Sequence, residues 1–505
     1  MPFPRLLITL FSLLLLGSPA LADILTYPYI QDLQAERAEL CWVSHQSSPV
    51  RVTWNDQEAH SQVLPAEALQ YHPVEREKFP SLDRRPRYLH RVTLDHLQGT
   101  RTEYLVHFPD QPYRNSFKSL PRPGDGVLLI AYSDSETEPE STGKAAKWGT
   151  TEEPSRRYLV DQTSGYRANL AQIQSRDPNA ILVAGDLVES GGEQRDWDEF
   201  WSHQKELAGA VPLLTAPGNH EYFAGPRGHG AYETEASRLA IAKYRTYFQR
   251  PYYSKVLGPV HLISLDSNDS LPHQSAVDSN HYLEAAGEFA PGFHPQSEQY
   301  AWLERELAVA QKEGRFILVM FHHCPYSSGV HGFPAGSGEG QDPQSGQALR
   351  SLTPLFLRYG VEVVISGHDE MMERSEVSGI EITPEGSERP VILQVYDVGI
   401  GGDGLREPER DNEYQRFLAH QDSPEIWQGE VLKSGGRHYG HLEIEVVPSA
   451  EGWTATLTPV YLLPVQQDGE WTFERKEYPD QIRIQKPTKT GSGTSSMPKR
   501  LLTRP

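Results

Sequence analysis

Cysteine is almost absent from this chain: Cys41 and Cys324 are the only two in 505 residues, and they fall in segments assigned below to different domains. That separation argues against a disulfide, whose geometry is strict, so stability has to come from packing. Beyond its start the chain also lacks any apolar run near the roughly 20 residues needed to cross a bilayer, and no transmembrane segment is expected. Positive charge is scarce, with 47 Lys and Arg against 68 Asp and Glu and a formal charge of −21. This balance argues against non-specific nucleic-acid binding, which needs basic surface to displace phosphate counterions. No internal repeat is visible, and nothing specifies an oligomeric state.

What is present begins with residues 1–22, where Arg5 precedes an apolar stretch and Ala20-Leu21-Ala22 offers a small-x-small cleavage site. The pattern reads as a signal peptide, so the mature protein is expected to be exported, to a periplasm or the cell exterior. The length suggests two domains. Over 23–119, short β-rich runs at 25–31, 37–44, 50–54, 88–94, 103–107 and 116–119 are separated by turn residues, which predicts an antiparallel β-sandwich. The stretch 57–85 is the least patterned part of this region and reads as a long loop. Leu120-Pro-Arg-Pro-Gly-Asp-Gly126 is a stiff, turn-rich linker.

Beyond the linker, continuous apolar runs at 127–132, 180–184, 211–216, 260–265, 316–321, 361–365 and 391–395 suit strands buried on both faces. Helical spacing appears between them at 158–175, 197–207, 235–248, 296–313 and 348–359. The alternation predicts an α/β layered domain over 124–465, closed by strands near 441–447 and 453–463. The polar stretch 486–505 reads as a disordered tail.

The apolar runs stop at clusters of metal-ligating residues: Asp134, Asp186, Asn219-His220-Glu221, Asp266, His322-His323, His368-Asp369-Glu370 and Asp397. Ligands of α/β domains bind beyond the carboxyl ends of the strands, where these clusters lie. Metal-assisted hydrolysis of phosphate esters needs carboxylate, oxygen and imidazole ligands gathered in this way. Taken in order, Gly185-Asp186, Gly218-Asn219-His220-Glu221, Trp302-Leu303-Glu304 ahead of His322-His323-Cys324-Pro325, and Ser366-Gly367-His368 before Glu373-Arg374-Ser375 resemble the calcineurin-like metallophosphoesterases. The likeness is greatest to the purple acid phosphatases with an N-terminal fibronectin-III-like sandwich. It implies a four-layer αββα catalytic domain, a binuclear metal centre, a small-molecule phosphoester substrate and metal-activated hydroxide as nucleophile.

By position, Asp186 resembles the bridging carboxylate, and Asn219, His322 and His368 resemble the ligands of the second ion, for which the resemblance implies Zn, Mn or Fe. Asp134 matches the first carboxylate of the other site, where this chain departs from the family: Glu136 and Glu370 stand where relatives carry histidine, and Glu189 where the purple enzymes carry tyrosine. Either the first site is rebuilt as an oxygen cage of Asp134, Glu136, Asp186, Glu370 and Glu189, suited to Mn, Mg, Ca or ferric iron, or it has decayed. His220 resembles the substrate-contacting histidine that protonates the leaving alcohol, with a loop-holding residue as the plainer alternative. His331 resembles a further phosphate contact or is a solvated loop residue, and His323 rivals His322 as ligand. Glu221 and Asp369 are expected to orient the motif loops, and Asp266 reads equally well as a cap. Three functions stay open: an acid-phosphatase-like hydrolase, a phosphodiesterase or nucleotidase on the same scaffold, and a non-catalytic metal-binding protein.

Overall fold

A computed structural model describes residues 23–122, 124–139, 162–223, 234–269, 277–283, 290–402, 405–419, 426–429 and 431–487. The leader read over 1–22 lies outside the described residues, as does all of the tail beyond Pro487. The N-terminal strands are β1 (Ile24–Gln31), β2 (Arg37–Ser44), β3 (Arg51–Trp54), β4 (Gln57–His60), β5 (Gln62–Pro65), β6 (Tyr88–Asp95), β7 (Arg101–Val106) and β8 (Tyr113–Lys118). They form two antiparallel sheets, ordered β1-β2-β6-β5 and β4-β3-β7-β8. Alternate residues turn inward, and Leu40, Trp42, Val52, Trp54, Val92, Leu94, Tyr104 and Phe117 share one core between the sheets.

The stretch read as a long loop is structured. It supplies β4, β5, a 3-10 turn and the short helix α1 (Pro73–Lys78), which opens on a capping box of His72 and Glu75. Its four-residue strands and polar composition hide the pattern from a periodicity reading, and tertiary contacts described below hold it.

The remaining strands are β9 (Val127–Tyr132), β10 (Ala180–Val183), β11 (Leu213–Thr215), β12 (Tyr253–Leu257), β13 (Val260–Ser264), β14 (Phe316–His323), β15 (Val363–Gly367), β16 (Met372–Ile382), β17 (Glu388–Val398), β18 (Gln415–Leu418), β19 (Ile426–Gln428), β20 (Val431–Ser434), β21 (Gly440–Ser449), β22 (Gly452–Gln467), β23 (Glu470–Glu477) and β24 (Ile482–Pro487). One sheet runs β11-β10-β9-β21-β22-β20-β19, with β23 and β24 also on β22; the other runs β12-β13-β14-β15-β17-β16-β18. The helices are α2 (Gln162–Arg176), α3 (Gln194–His203), α4 (Thr234–Phe248), α5 (Glu298–Lys312) and α6 (Thr353–Tyr359).

The period of two along each central strand builds the layers. On β9 and β10, Leu129, Ala131 and Leu182 face the second sheet, where they meet Leu262, Leu318 and Ile365. Their neighbours Ile130, Ile181 and Val183 face the other way, onto Tyr166, Trp197, Trp201 and Tyr244 of α2, α3 and α4. Ile263, Ile317, Val319 and Val364 of the second sheet face Leu303, Leu307 and Phe356 of α5 and α6. The result is helices, sheet, sheet, helices, the four-layer order expected.

Several boundaries differ from the sequence reading. The helix expected over 348–359 is a 3-10 stretch at Gly346–Leu352 followed by α6, with a proline in its first turn, because Pro354 has no N–H to continue a helix from the preceding turn. Strand β24 runs to Pro487, into the stretch read as tail, and its Lys486 Nζ lies 2.6 Å from Glu362 Oε1 with both side chains buried. Both cysteines are buried and unbridged.

The sandwich seats on α3 and α4. Arg87 donates to both oxygens of Asp198, at 2.6 and 2.8 Å. Glu75 accepts the backbone N–H of Gln194 at 3.1 Å and of Arg195 at 3.0 Å, so a carboxylate from α1 caps the N-terminus of α3. Lys243 Nζ donates to the carbonyls of Ala68 and Gln70 at 2.8 and 2.7 Å.

Candidate metal centre

Five parallel or near-parallel strands deliver their ends to one place. Asp134 follows β9, Asp186 follows β10, Asn219 follows β11, His322 lies at the end of β14 and His368 follows β15. The turns are sharp: Asp134, Asp186, His368 and Glu370 have φ of 58°, 50°, 84° and 50°, a region non-glycine residues occupy at a cost and most often at functional sites. Close approach demands glycine beside them, since a Cβ on Gly218 would stand 2.0 Å from Asp186 Oδ1 and one on Gly185 2.6 Å from His322 Nδ1.

His322 Nε2 lies 2.9 Å from Asp186 Oδ2, 2.8 Å from Asn219 Oδ1 and 3.0 Å from His368 Nδ1. The other nitrogen of each ring is taken: His322 Nδ1 donates to the Ala184 carbonyl at 2.9 Å and His368 Nε2 to that of Gln344 at 2.7 Å. Both tautomers are thereby set with lone pairs facing inward. Four acceptor atoms then converge on one point, which only a cation can reconcile. Without a metal a proton serves: burial would lower His322, but the Asp186 carboxylate outweighs it and lifts the imidazole to about 9. Burial likewise opposes ionisation of Asp186, yet His322 and His220 hold it well below the usual carboxylate range. The set fits one divalent ion.

The carboxylate-rich half is looser. Asp134 accepts the His368 N–H on both oxygens, at 3.0 and 3.1 Å, and burial, with the charges of Asp186 and Glu370 adding to it against His322, pushes it up to about 7. Glu370 Oε1 is 2.5 Å from Arg406 Nη2, while its Oε2 is buried without a hydrogen-bond partner among the described residues. That orphaned oxygen and the crowded carboxylates fit a second cation. Glu136 approaches from the other side, grouped with Asp186 and His220. Glu189 reaches the site through its backbone carbonyl, which accepts from His220 Nδ1 at 2.8 Å.

His220 is locked in place. Its N–H donates to Asp186 Oδ1 at 3.0 Å, and its Nε2 stands 3.8 Å from both Asp186 Oδ2 and Glu136 Oε1. Burial lowers its pKa despite Asp186. His331 donates from Nδ1 to Asp342 Oδ2 at 2.8 Å and stacks on His368, with ring centroids 3.7 Å apart. His323 turns instead to Ser267 Oγ, 2.8 Å from its Nδ1. Successive residues of β14 point to opposite sides, so only one of the adjacent histidines can join Asp186.

Glu221 ties the loops together, accepting the N–H groups of Asp186 at 3.0 Å, Leu187 at 2.9 Å and Gly218 at 2.6 Å. Asp369 accepts the His331 N–H at 2.8 Å. Asp266, pushed up to about 6 by burial, takes the Tyr222 hydroxyl at 2.6 Å and the Asn268 N–H at 3.0 Å. Asp397 is buried and accepts from Gly399 N–H at 3.0 Å. Arg374 leaves the site altogether for Asp480, at 2.6 and 2.7 Å. Sequence reasoning missed Asp342, Gln344, Ser267 and Arg406. Gly401 and Gly402 after β17 were the available signal for Arg406, since their N–H groups donate to the Ser133 and Asp134 carbonyls at 3.0 and 3.1 Å and bring the chain to the site.

Residues 160–370 match the family model for calcineurin-like phosphoesterase, a span that holds Asp186, Asn219, His322 and His368 and begins after Asp134 and Glu136. Among curated proteins, the chain is 28% identical over 218 residues to purple acid phosphatase 21 of Arabidopsis thaliana, covering 43% of each. It is 25% identical over 308 residues to purple acid phosphatase 18 of the same plant, 58% of this chain and 57% of that one. Acid phosphatase type 7 of Homo sapiens is 26% identical over 208 residues, 39% of this chain and 40% of that protein. The chain thus matches between 40% and 57% of the length of these relatives. A solved purple acid phosphatase from yellow lupin seeds shares the fold, with a TM-score of 0.58 at 17% identity, covering 88% of this chain and 73% of that one. The chain carries a calcineurin-like metallophosphoesterase domain and has purple acid phosphatases among its relatives.

Proposed function

We propose that this protein is an exported, metal-dependent phosphoric ester hydrolase with acid-phosphatase-like chemistry. The observation that carries the reading is the meeting of four inward-facing acceptor atoms, from Asp186, Asn219, His322 and His368, around one point. These residues would hold one ion, of Zn, Mn or Fe. Asp134, Glu136 and Glu370, with Asp186 shared, would hold a second, and an all-oxygen set of this kind favours Mn, Mg, Ca or ferric iron. Bound ions supply a water activated for attack and neutralise phosphate charge.

The chain's own residues do the rest. His220, its Nδ1–H held by the Glu189 carbonyl, presents Nε2 to the space beside Glu136 and Asp186, where it can hand a proton to the leaving alcohol. His331, fixed by Asp342 and stacked on His368, lies beside the centre with its Nε2 against Arg406, and the pair can meet a phosphate oxygen. Export rests on the leader pattern of residues 1–22.

The test is metal analysis of the purified protein, followed by assay with p-nitrophenyl phosphate and its bis-ester across Mn²⁺, Zn²⁺, Fe²⁺, Mg²⁺ and Ca²⁺. Stoichiometric metal with monoester turnover is the expected result. Preference for the bis-ester would make it a diesterase, and no turnover of either ester with any metal would sink the hydrolase reading.

A further inference from the structure

Arg406 lies just past the glycine-rich turn that follows β17, and its backbone N–H donates to the Glu370 carbonyl at 3.1 Å. Its side chain bridges two parts of the centre: Nη2 is 2.5 Å from Glu370 Oε1, and Nη1 is 3.2 Å from His331 Nε2. Since His331 Nδ1 is held by Asp342, the guanidinium meets the ring's other nitrogen. The Glu370 side chain is 2% exposed and that of Arg406 29%, so a buried carboxylate anchors a partly exposed cation.

A simple ion pair would need only Glu370. The guanidinium extends further, to the His331 ring, so an arginine and a histidine lie side by side next to the His368 ligand. A phosphate placed there would meet both side chains, and the planar fork of arginine matches two phosphate oxygens. His220 stands opposite in origin, on the loop after β11 of the nine-stranded sheet, whereas Arg406 follows β17 of the seven-stranded sheet.

We propose that Arg406, together with His331, binds non-bridging oxygens of the phosphoryl group and makes the site selective for phosphomonoester dianions over diesters. The proposal rests on the phosphoester reading above. With the leaving group at His220, a monoester turns only charged oxygens toward Arg406. A diester has to place its second alkoxy group at one of those corners, where the guanidinium loses a charged partner. Arg406 is therefore a substrate-binding and specificity-determining residue.

The experiment compares wild type, Arg406→Gln and Arg406→Lys for kcat and KM on p-nitrophenyl phosphate and its bis-ester, and measures inhibition by orthophosphate, bound metal and thermal stability. Arg406→Gln is expected to lower monoester kcat/KM roughly ten- to a hundredfold, the range for a hydrogen bond to a charged group, chiefly through KM. Orthophosphate inhibition should weaken by a similar factor, with bis-ester turnover little changed and Arg406→Lys recovering only part of the loss. Equal losses on both esters, unchanged orthophosphate inhibition, or a loss of bound metal that accounts for the fall would overturn the proposal. If wild type turned over neither ester, the hydrolase reading would fail first. Calorimetric titration of the metal-loaded wild type and variants with orthophosphate would then decide the role of Arg406, equal affinities counting against it.

Discussion

His220 is held by three different devices: its N–H on Asp186, its Nδ1 on the Glu189 carbonyl, and its ring on Phe223, with centroids 4.1 Å apart. None of these requires the imidazole to coordinate metal, so its chemistry can be removed without dismantling the centre. His220→Asn should lower kcat roughly 10²- to 10⁴-fold, the usual worth of a positioned proton donor, with bound metal unchanged on elemental analysis. A variant that lost metal in proportion to activity would show that His220 is part of the ligand cage instead. Its place beside Asn219 was legible in the sequence, as was that of Glu370 beside His368, whereas the contact of Glu370 with Arg406 was not, because the two are distant in the chain.

Loops after neighbouring strands must be joined to make one site, and Glu221 is the joint between those after β10 and β11. One carboxylate accepts three backbone N–H groups there, two from the Asp186 loop and one from Gly218, with burial pushing its pKa up to about 8. Glu221→Ala frees both loops and leaves their N–H groups buried, and apparent metal affinity measured by dialysis should fall roughly 10- to 100-fold, as for other residues that orient ligands. The element that sequence reading missed, 57–85, works in the same manner on a larger scale. Its Glu75 caps α3, and Arg87, at the start of the following strand, clamps Asp198. Arg87→Ala strands a largely buried carboxylate, for a loss of roughly 3–5 kcal/mol in denaturant unfolding, if the sandwich and the catalytic layers unfold together. A loss confined to an early, separate transition would mean that the two fold independently.

At the scale of the molecule, the sandwich carries an acid-sensitive group. His90 stacks on Trp42, 4.9 Å between centroids, and shares hydrogens with Ser44 and Ser61, both at 3.0 Å. Burial lowers its pKa from 6.5 to about 4, so the unfolded chain binds a proton that the folded chain refuses. The stability contribution of neutral His90 is present above about pH 6.5 and is lost as pH falls toward 4, on the order of 2 kcal/mol in all. Thermal melts across that window should show the slope in wild type and lose it in His90→Gln. An unchanged slope would place the acid sensitivity elsewhere. Packing and ion pairs, with no disulfide, hold these layers together, since both cysteines are buried and unbridged.

Local pattern determined the alternation of strand and helix, because periods of 2 and 3.6 record which faces are buried, and it determined that metal-ligating residues crowd the strand ends. The strand limits at 37–44 and 127–132 are read directly from those runs. Register and loop path lie beyond such a reading, since they depend on contacts between residues far apart in the chain. Only the tertiary structure decided that His322 and not its neighbour faces Asp186, for the two point to opposite sides of β14 and the sheet's pairing selects one. It decided equally that Glu370 meets Arg406, that His331 lies on His368, and that an unpatterned stretch braces α3, because each is set by how distant segments pack rather than by what stands next to them in sequence.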